Sequence, residues 1–151
     1  MEGGNIKIVA RNKKARFDYE LGDRFEAGMV LTGTEVKSLR LGKASLSEAY
    51  AKVTDGEAWL VGCQIQPYPF AYYDNHEPTR QRKLLLHKRE LKRLTVKLAE
   101  QGYSLIPTAI YFKRGLAKVE LALARGKKKH DKRATIKKRE QEREMARALK
   151  H

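Results

Sequence analysis

The sequence predicts a mainly β chain with some α: a small antiparallel barrel, OB-like in type, with two to three flanking helices and a basic C-terminal tail. Three observations carry this. Short apolar stretches recur between turn signals, as in antiparallel sheets. Asp55-Gly56 stands where a two-residue hairpin turn is needed, and Lys113-Arg114-Gly115 turns the last two strands. Only two stretches, after Thr32 and after His87, show helical spacing.

The elements follow in chain order. Residues 5–12 alternate weakly through Ile6, Ile8 and Ala10 and predict a first strand. Lys13, Lys14 and Arg16 are expected in a basic loop. RFEAGMVLTG, residues 24–33, reads as a strand. Thr32 and Glu35 then have capping-box spacing, in which a hydroxyl and a carboxylate each satisfy an orphan backbone N–H. Val36 and Leu39 share one helical face, and Gly42 stops the helix. Strands are expected over residues 46–53 and 58–65, hinged at Asp55-Gly56 because both turn positions tolerate positive φ. Lys83 to Leu86 is a strand, since its leucines are continuous. Leu91, Leu94, Leu98 and Ala99 give a helical stripe ended by Gly102. Residues 105–112 and 116–123 form the last hairpin. One domain is expected over residues 1–125 and a basic tail over 126–151. The tail has only Ile136, Met145 and Leu149 as large apolar residues, too few for a core, so it is expected to be disordered when free and helical when bound.

Charge gives the function class. The chain has 151 residues and a formal net charge of +15. Residues 1–16 hold five basic and one acidic side chains, residues 79–93 seven and one, and residues 126–151 eleven and four. Everything between is close to neutral, so the excess forms directed surfaces that suit a polyanion. The bland alternative is three solvated faces. Leu84-Leu85-Leu86 inside the second block argues against it, because a solvated run has no use for leucines. Cys63 is the single cysteine, which excludes an internal disulfide and fits a reducing, cytoplasmic setting. No apolar run approaches the roughly 20 residues of a membrane span.

Catalytic signals are thin. No metal or cofactor is expected. The four histidines lack metal-ligand spacing, and Asp74-Asn75-His76-Glu77 reads as a polar loop cluster. A nuclease using His76 or His87 is the enzymatic alternative. Another binding module, such as a general single-strand-binding protein, is the other. Tyr68, Phe70, Tyr72 and Tyr73 are read as a loop packed back on the barrel, with a base-stacking platform as the lesser alternative.

Several runs together resemble one family. They are Asn12-Lys13-Lys14-Ala15-Arg16, Phe25-Glu26-Ala27-Gly28, Gly33 to Arg40 (GTEVKSLR), Asn75-His76-Glu77-Pro78-Thr79-Arg80, Arg82 to Glu90 (RKLLLHKRE), and Gly126-Lys127-Lys128 with Asp131-Lys132-Arg133. In this order they are similar to small protein B, the SsrA-RNA or transfer-messenger-RNA binding protein of trans-translation. The resemblance implies a non-enzymatic, monomeric ribosome-rescue factor. It would bind the tRNA-like domain of transfer-messenger RNA and stand in for an anticodon stem. It would work at the small subunit and decoding centre of stalled ribosomes, with elongation factor Tu and alanyl-tRNA synthetase as indirect partners. Carried onto this sequence, the RNA-binding set is Asn12, Lys13, Arg16, Glu26, Lys37, Arg40, Arg80, Arg82, Lys83, Leu85 and His87. The tail set, for the decoding region and the empty message channel, is Gly126, Lys127, Lys128, His130, Asp131, Lys132, Arg133, Ile136, Lys137 and Arg139.

Overall fold

A computed structural model of the chain describes residues 6–100 and 102–126. In order these are β1 (Ile6–Arg11), α1 (Lys13–Asp18), β2 (Tyr19–Met29), α2 (Gly33–Arg40), β3 (Ala44–Ser45), β4 (Tyr50–Thr54), β5 (Glu57–Val61), β6 (Gln64–Ile65), β7 (Arg82–Leu85), α3 (Lys88–Ala99), β8 (Tyr103–Lys113) and β9 (Leu116–Gly126). The antiparallel, mainly β class is borne out. Strands pair in the order β8-β4-β5-β7-β2-β9, and β9 pairs again with β8, so six strands close a ring. The β4–β8 seam is thin, a single register pair, Ala51 with Leu105. β1 adds to β8 outside the ring, and β3 with β6 makes a separate ribbon.

Local chemistry explains the elements that were legible. Asp55 and Gly56 both take positive φ (53° and 73°), and Thr54 pairs with Glu57 across them. Arg114 and Gly115 do the same (53° and 79°) between Lys113 and Leu116. These are the twisted two-residue turns that keep hairpin strands from splaying. In α2 the Thr32 hydroxyl accepts from the Glu35 N–H, and the Thr32 N–H donates to Glu35 Oε1 at 2.8 Å. α2 is short, so docking must hold it. Leu39 is 1% exposed in the barrel core, which stabilises by about 2 kcal/mol. Leu94 of α3 enters the same core, flanked by Leu91 and Leu98.

Four expectations need correction. Lys13–Asp18 is a helix, not a loop. Asn12 caps it, its Oδ1 accepting from the Ala15 N–H at 3.1 Å, and Ala15 is buried. The second strand starts at Tyr19 rather than Arg24 and stops at Met29, with an irregularity between Leu21 and Arg24. The stretch 58–65 breaks into β5 and β6 at Gly62, whose φ is +77°. A Cβ there would lie 2.5 Å from the Glu48 carbonyl oxygen, so the chain turns where only glycine fits. The stretch 46–53 likewise becomes β4 alone, preceded by a turn that buries Leu46.

Candidate nucleic-acid interface

Register builds the candidate surface. One row of outward positions crosses five strands. Ile8 of β1 stands opposite Tyr111 of β8, Tyr111 opposite Lys118 of β9, Lys118 opposite Gly28 of β2, and Gly28 opposite Leu85 of β7. The next row holds Arg11, Ala109, Glu120 and Glu26 in the same manner. Side chains on one sheet face at such spacing are neighbours. Beside them lies an open groove of about 650 Å³, lined by Arg11, Lys13, Arg16 and Arg24 and by Glu26, Thr108, Tyr111 and Glu120, among others.

The groove is not merely cationic. Tyr111 donates a short hydrogen bond to Glu26 Oε2, and Lys113 Nζ lies 3.4 Å from the same oxygen. Among the described residues no hydrogen bond falls on Oε1. The Tyr111 bond holds the Glu26 carboxyl below its ordinary pKa; burial opposes this, and Lys113 and Lys118 add to it. Burial first, and then Glu26, push the Tyr111 phenol up from 10. At neutral pH the pair is therefore a phenol donating to a carboxylate. Glu120 accepts from Arg24 and from Thr108 Oγ1, each at 2.7 Å. Burial raises its pKa, but these donors outweigh it and the net shift is downward. Cations in such a groove neutralise phosphate. A held carboxylate accepts from base amino groups or 2′-hydroxyls. Leu85, 55% exposed, gives an apolar contact in the same row, over the bare backbone of Gly28.

The sequence-derived set divides on this frame. Lys13, Arg16 and Glu26 line the groove. Asn12 lines it too, but its amide is spent: besides capping α1, Nδ2 donates to the Leu46 and Pro107 carbonyls at 3.3 and 2.9 Å. Its part is to shape the groove. Lys83 and Leu85 lie on β7, with Lys83 Nζ 3.4 Å from Glu57. His87 is exposed at the start of α3. Lys37 and Arg40 lie on α2, over the Tyr68 and Phe112 rings.

Arg82 is a correction. It is 0% exposed and cannot touch RNA. Its Nε donates to Glu35 Oε2 at 2.6 Å, and its remaining donors serve the Cys63, Glu77, Pro78 and Arg80 carbonyls. Arg80 is half-buried and forks onto both oxygens of the same Glu35, at 2.6 and 3.0 Å. These two arginines join α2 to the approach to β7. Burial works to raise the Glu35 pKa, but the Arg80, Thr32 and Arg82 hydrogen bonds together leave it lowered.

The aromatic loop is a second correction. Phe70, Tyr72 and Tyr73 are 69%, 87% and 86% exposed, not packed back. The nearby histidine is structural: His76 is 9% exposed, with Nδ1 2.9 Å from Thr34 Oγ1 and Nε2 2.8 Å from the Ile65 carbonyl. Asn75 also serves the loop's backbone, which agrees with the polar-cluster reading of residues 74–77. Sequence reading missed Arg11, Arg24, Tyr111, Lys118 and Glu120. Pairing β8 with β9 across Arg114-Gly115 puts Tyr111, Lys118 and Glu120 on one face, so alternation held a usable signal. The register joining them to Glu26 is non-local and left none. Gly126 ends β9 opposite Tyr19. The rest of the tail set, from Lys127 to Arg139, lies outside the described residues.

Comparison with known proteins agrees with the family motifs. A sequence model of the SmpB protein family matches residues 9–151. The SsrA-binding protein of Geobacter metallireducens is 57% identical over 144 residues, covering 95% of this chain and 94% of that protein. That of Thermobifida fusca is 51% identical over 149 residues, covering 99% and 93%. Among solved structures, a chain of "tmRNA-SmpB: a journey to the center of the bacterial ribosome" superposes with a TM-score of 0.67. It is 52% identical and covers 79% of this chain and 84% of that one. By sequence and by fold, the chain belongs to the SmpB protein family.

Proposed function

We propose that this chain is a non-catalytic RNA-binding factor of trans-translation, which binds transfer-messenger RNA and acts with it on stalled ribosomes in the cytoplasm. The relatives are named SsrA-binding proteins, and the structural neighbour comes from a structure titled for tmRNA-SmpB and the bacterial ribosome. In the finer form, the barrel binds the tRNA-like domain and takes the place of an anticodon stem. The tail, from Lys127 on, enters the empty message channel as a helix and meets the decoding centre with His130, Asp131, Lys132 and Arg133. Elongation factor Tu and alanyl-tRNA synthetase are indirect partners of a monomer.

The observation that carries the reading is the Glu26–Tyr111 pair set among Arg11, Lys13, Arg16 and Lys118. A surface built only for non-specific polyanion binding gains nothing from a carboxylate, which phosphate repels. A structured RNA with inward-facing amino and hydroxyl donors does use one. Arginine and lysine give affinity and register, and the carboxylate gives selectivity.

The test is binding to the isolated tRNA-like domain beside an ordinary tRNA, with competitor RNA at physiological salt. Selective binding is expected. Glu26→Gln should weaken tRNA-like-domain binding about tenfold, the scale of a hydrogen bond to a charged group, and leave thermal stability nearly unchanged. Equal affinity for any RNA of similar length would overturn the reading in favour of a general single-strand-binding module.

A further inference from the structure

We propose that the loop between β6 and β7 is a stacking platform for unpaired nucleobases of RNA, with Tyr72 and Tyr73 as its principal rings. It rests on the function above only in taking RNA as the ligand. The motivating feature is a mismatch. Phe70, Tyr72 and Tyr73 expose most of their surface, yet the loop that carries them is built to hold one shape.

Four observations show that build. Pro67, Pro69 and Pro78 are three of the chain's four prolines, and no glycine lies between them. Asn75 cross-braces the loop: its Oδ1 accepts from the Tyr68 and His76 N–H groups, each at 3.1 Å, and its Nδ2 donates to the Tyr68 and Ala71 carbonyls at 3.0 and 3.3 Å. Buried His76 ties the loop to α2 through Thr34 and to β6 through the Ile65 carbonyl. Tyr68 and Phe70 meet edge to face, with centroids 5.4 Å apart. Rings displayed on a braced loop lose little freedom when a flat partner lands on them, which is what binding by stacking needs.

The surroundings choose the partner. Lys37 Nζ sits 5.6 Å from the centroid of Tyr68, the ring at the root of the same loop. One ammonium group therefore lies beside the loop that displays the exposed rings. A phosphate-neutralising cation near open aromatic faces suits a single strand. The interactions that fill Asn75 and His76 are internal, so the loop offers few base-edge contacts and little sequence preference is expected.

The test uses the full-length protein and a single-stranded RNA of about twelve nucleotides carrying 2-aminopurine, a base whose fluorescence falls on stacking. A blunt duplex of the same length is the control. The Tyr72→Ala/Tyr73→Ala variant should bind the single strand about tenfold more weakly and lose the fluorescence quench. Its duplex affinity and melting temperature should not change, since both rings are solvent-exposed. The deficit should persist at high salt, because stacking releases no counterions. Tyr72→Phe/Tyr73→Phe should bind as the native chain does. Unchanged single-strand affinity in the alanine variant overturns the proposal and leaves the loop to a protein partner. Equal losses for strand and duplex, or a phenylalanine variant as weak as the alanine one, also overturn it. Selectivity for transfer-messenger RNA does not enter this readout, so failure of the stacking platform leaves selective binding of the tRNA-like domain standing.

Discussion

Glu35 shows how much one side chain can carry. Its carboxylate completes the cap of α2, accepts the Arg82 guanidinium in the core, and receives the fork of Arg80. Removing one member of a buried ion pair leaves the other charged and unsolvated, which costs about 3–5 kcal/mol. Glu35→Ala should therefore lower stability by about that amount, measured as the urea midpoint of the barrel, and Arg82→Ala should behave alike. The pH dependence follows from the same site. The folded carboxyl titrates below its ordinary 4.5, so its contribution is complete above that value. It is lost as pH falls through the folded pKa. The acid limb of stability against pH should therefore flatten in Glu35→Gln; an unchanged limb would mean that other carboxylates carry it. Cys63 offers a simpler check. Burial pushes its thiol up to about 11, so it should resist alkylation until the chain unfolds.

At the level of elements, what sequence reveals is what the chain decides locally. The Asp55-Gly56 and Arg114-Gly115 turns, the Thr32–Glu35 cap and the Gly42 stop were legible because each needs only residues within one turn. α1 was not legible: it spans only Lys13–Asp18, and its hold comes from Asn12, whose amide reaches Leu46 and Pro107. The break at Gly62 was hidden for the same reason, since its partner is the backbone of Glu48. Gly62→Ala should cost several kcal/mol, because φ is +77° and the clash is with backbone that cannot swing away. Gly56→Ala, with φ +73° but open space, should cost only about 1 kcal/mol. Thermal melts of the two variants side by side separate crowding from strain.

For the whole molecule, the closed ring brings β8, β9, β2 and β7 side by side and β1 adds to β8 at their edge, so residues far apart in sequence share one outer face. That face is where the barrel's half of the proposed function lies. The tail is the other half, and the boundary can be placed: Gly126 still pairs with Tyr19, so a cut should follow it. Deleting residues 127–151 should leave tRNA-like-domain affinity within about twofold and abolish tagging on stalled ribosomes. The motive is the fall in large apolar residues past Gly126, which removes any basis for a core. Loss of RNA binding in the same truncation would sink the division of labour.

The sequence alone determined the class of the fold, the local turns and caps, the concentration of charge in three blocks, and the motifs of the family. All of these are properties of short segments or of composition. Tertiary structure decided which members of the 79–93 block meet solvent. Alternation along β7 sends Arg82 and Leu84 inward and Lys83 and Leu85 outward, against the ordinary preference of arginine for water and leucine for the core. The inversion is stable because Glu35, 47 residues away in sequence, neutralises Arg82, and because Gly28 leaves room for Leu85 on the outer face. Docking of α2 supplies the first partner, and the pairing of β2 with β7 supplies the second.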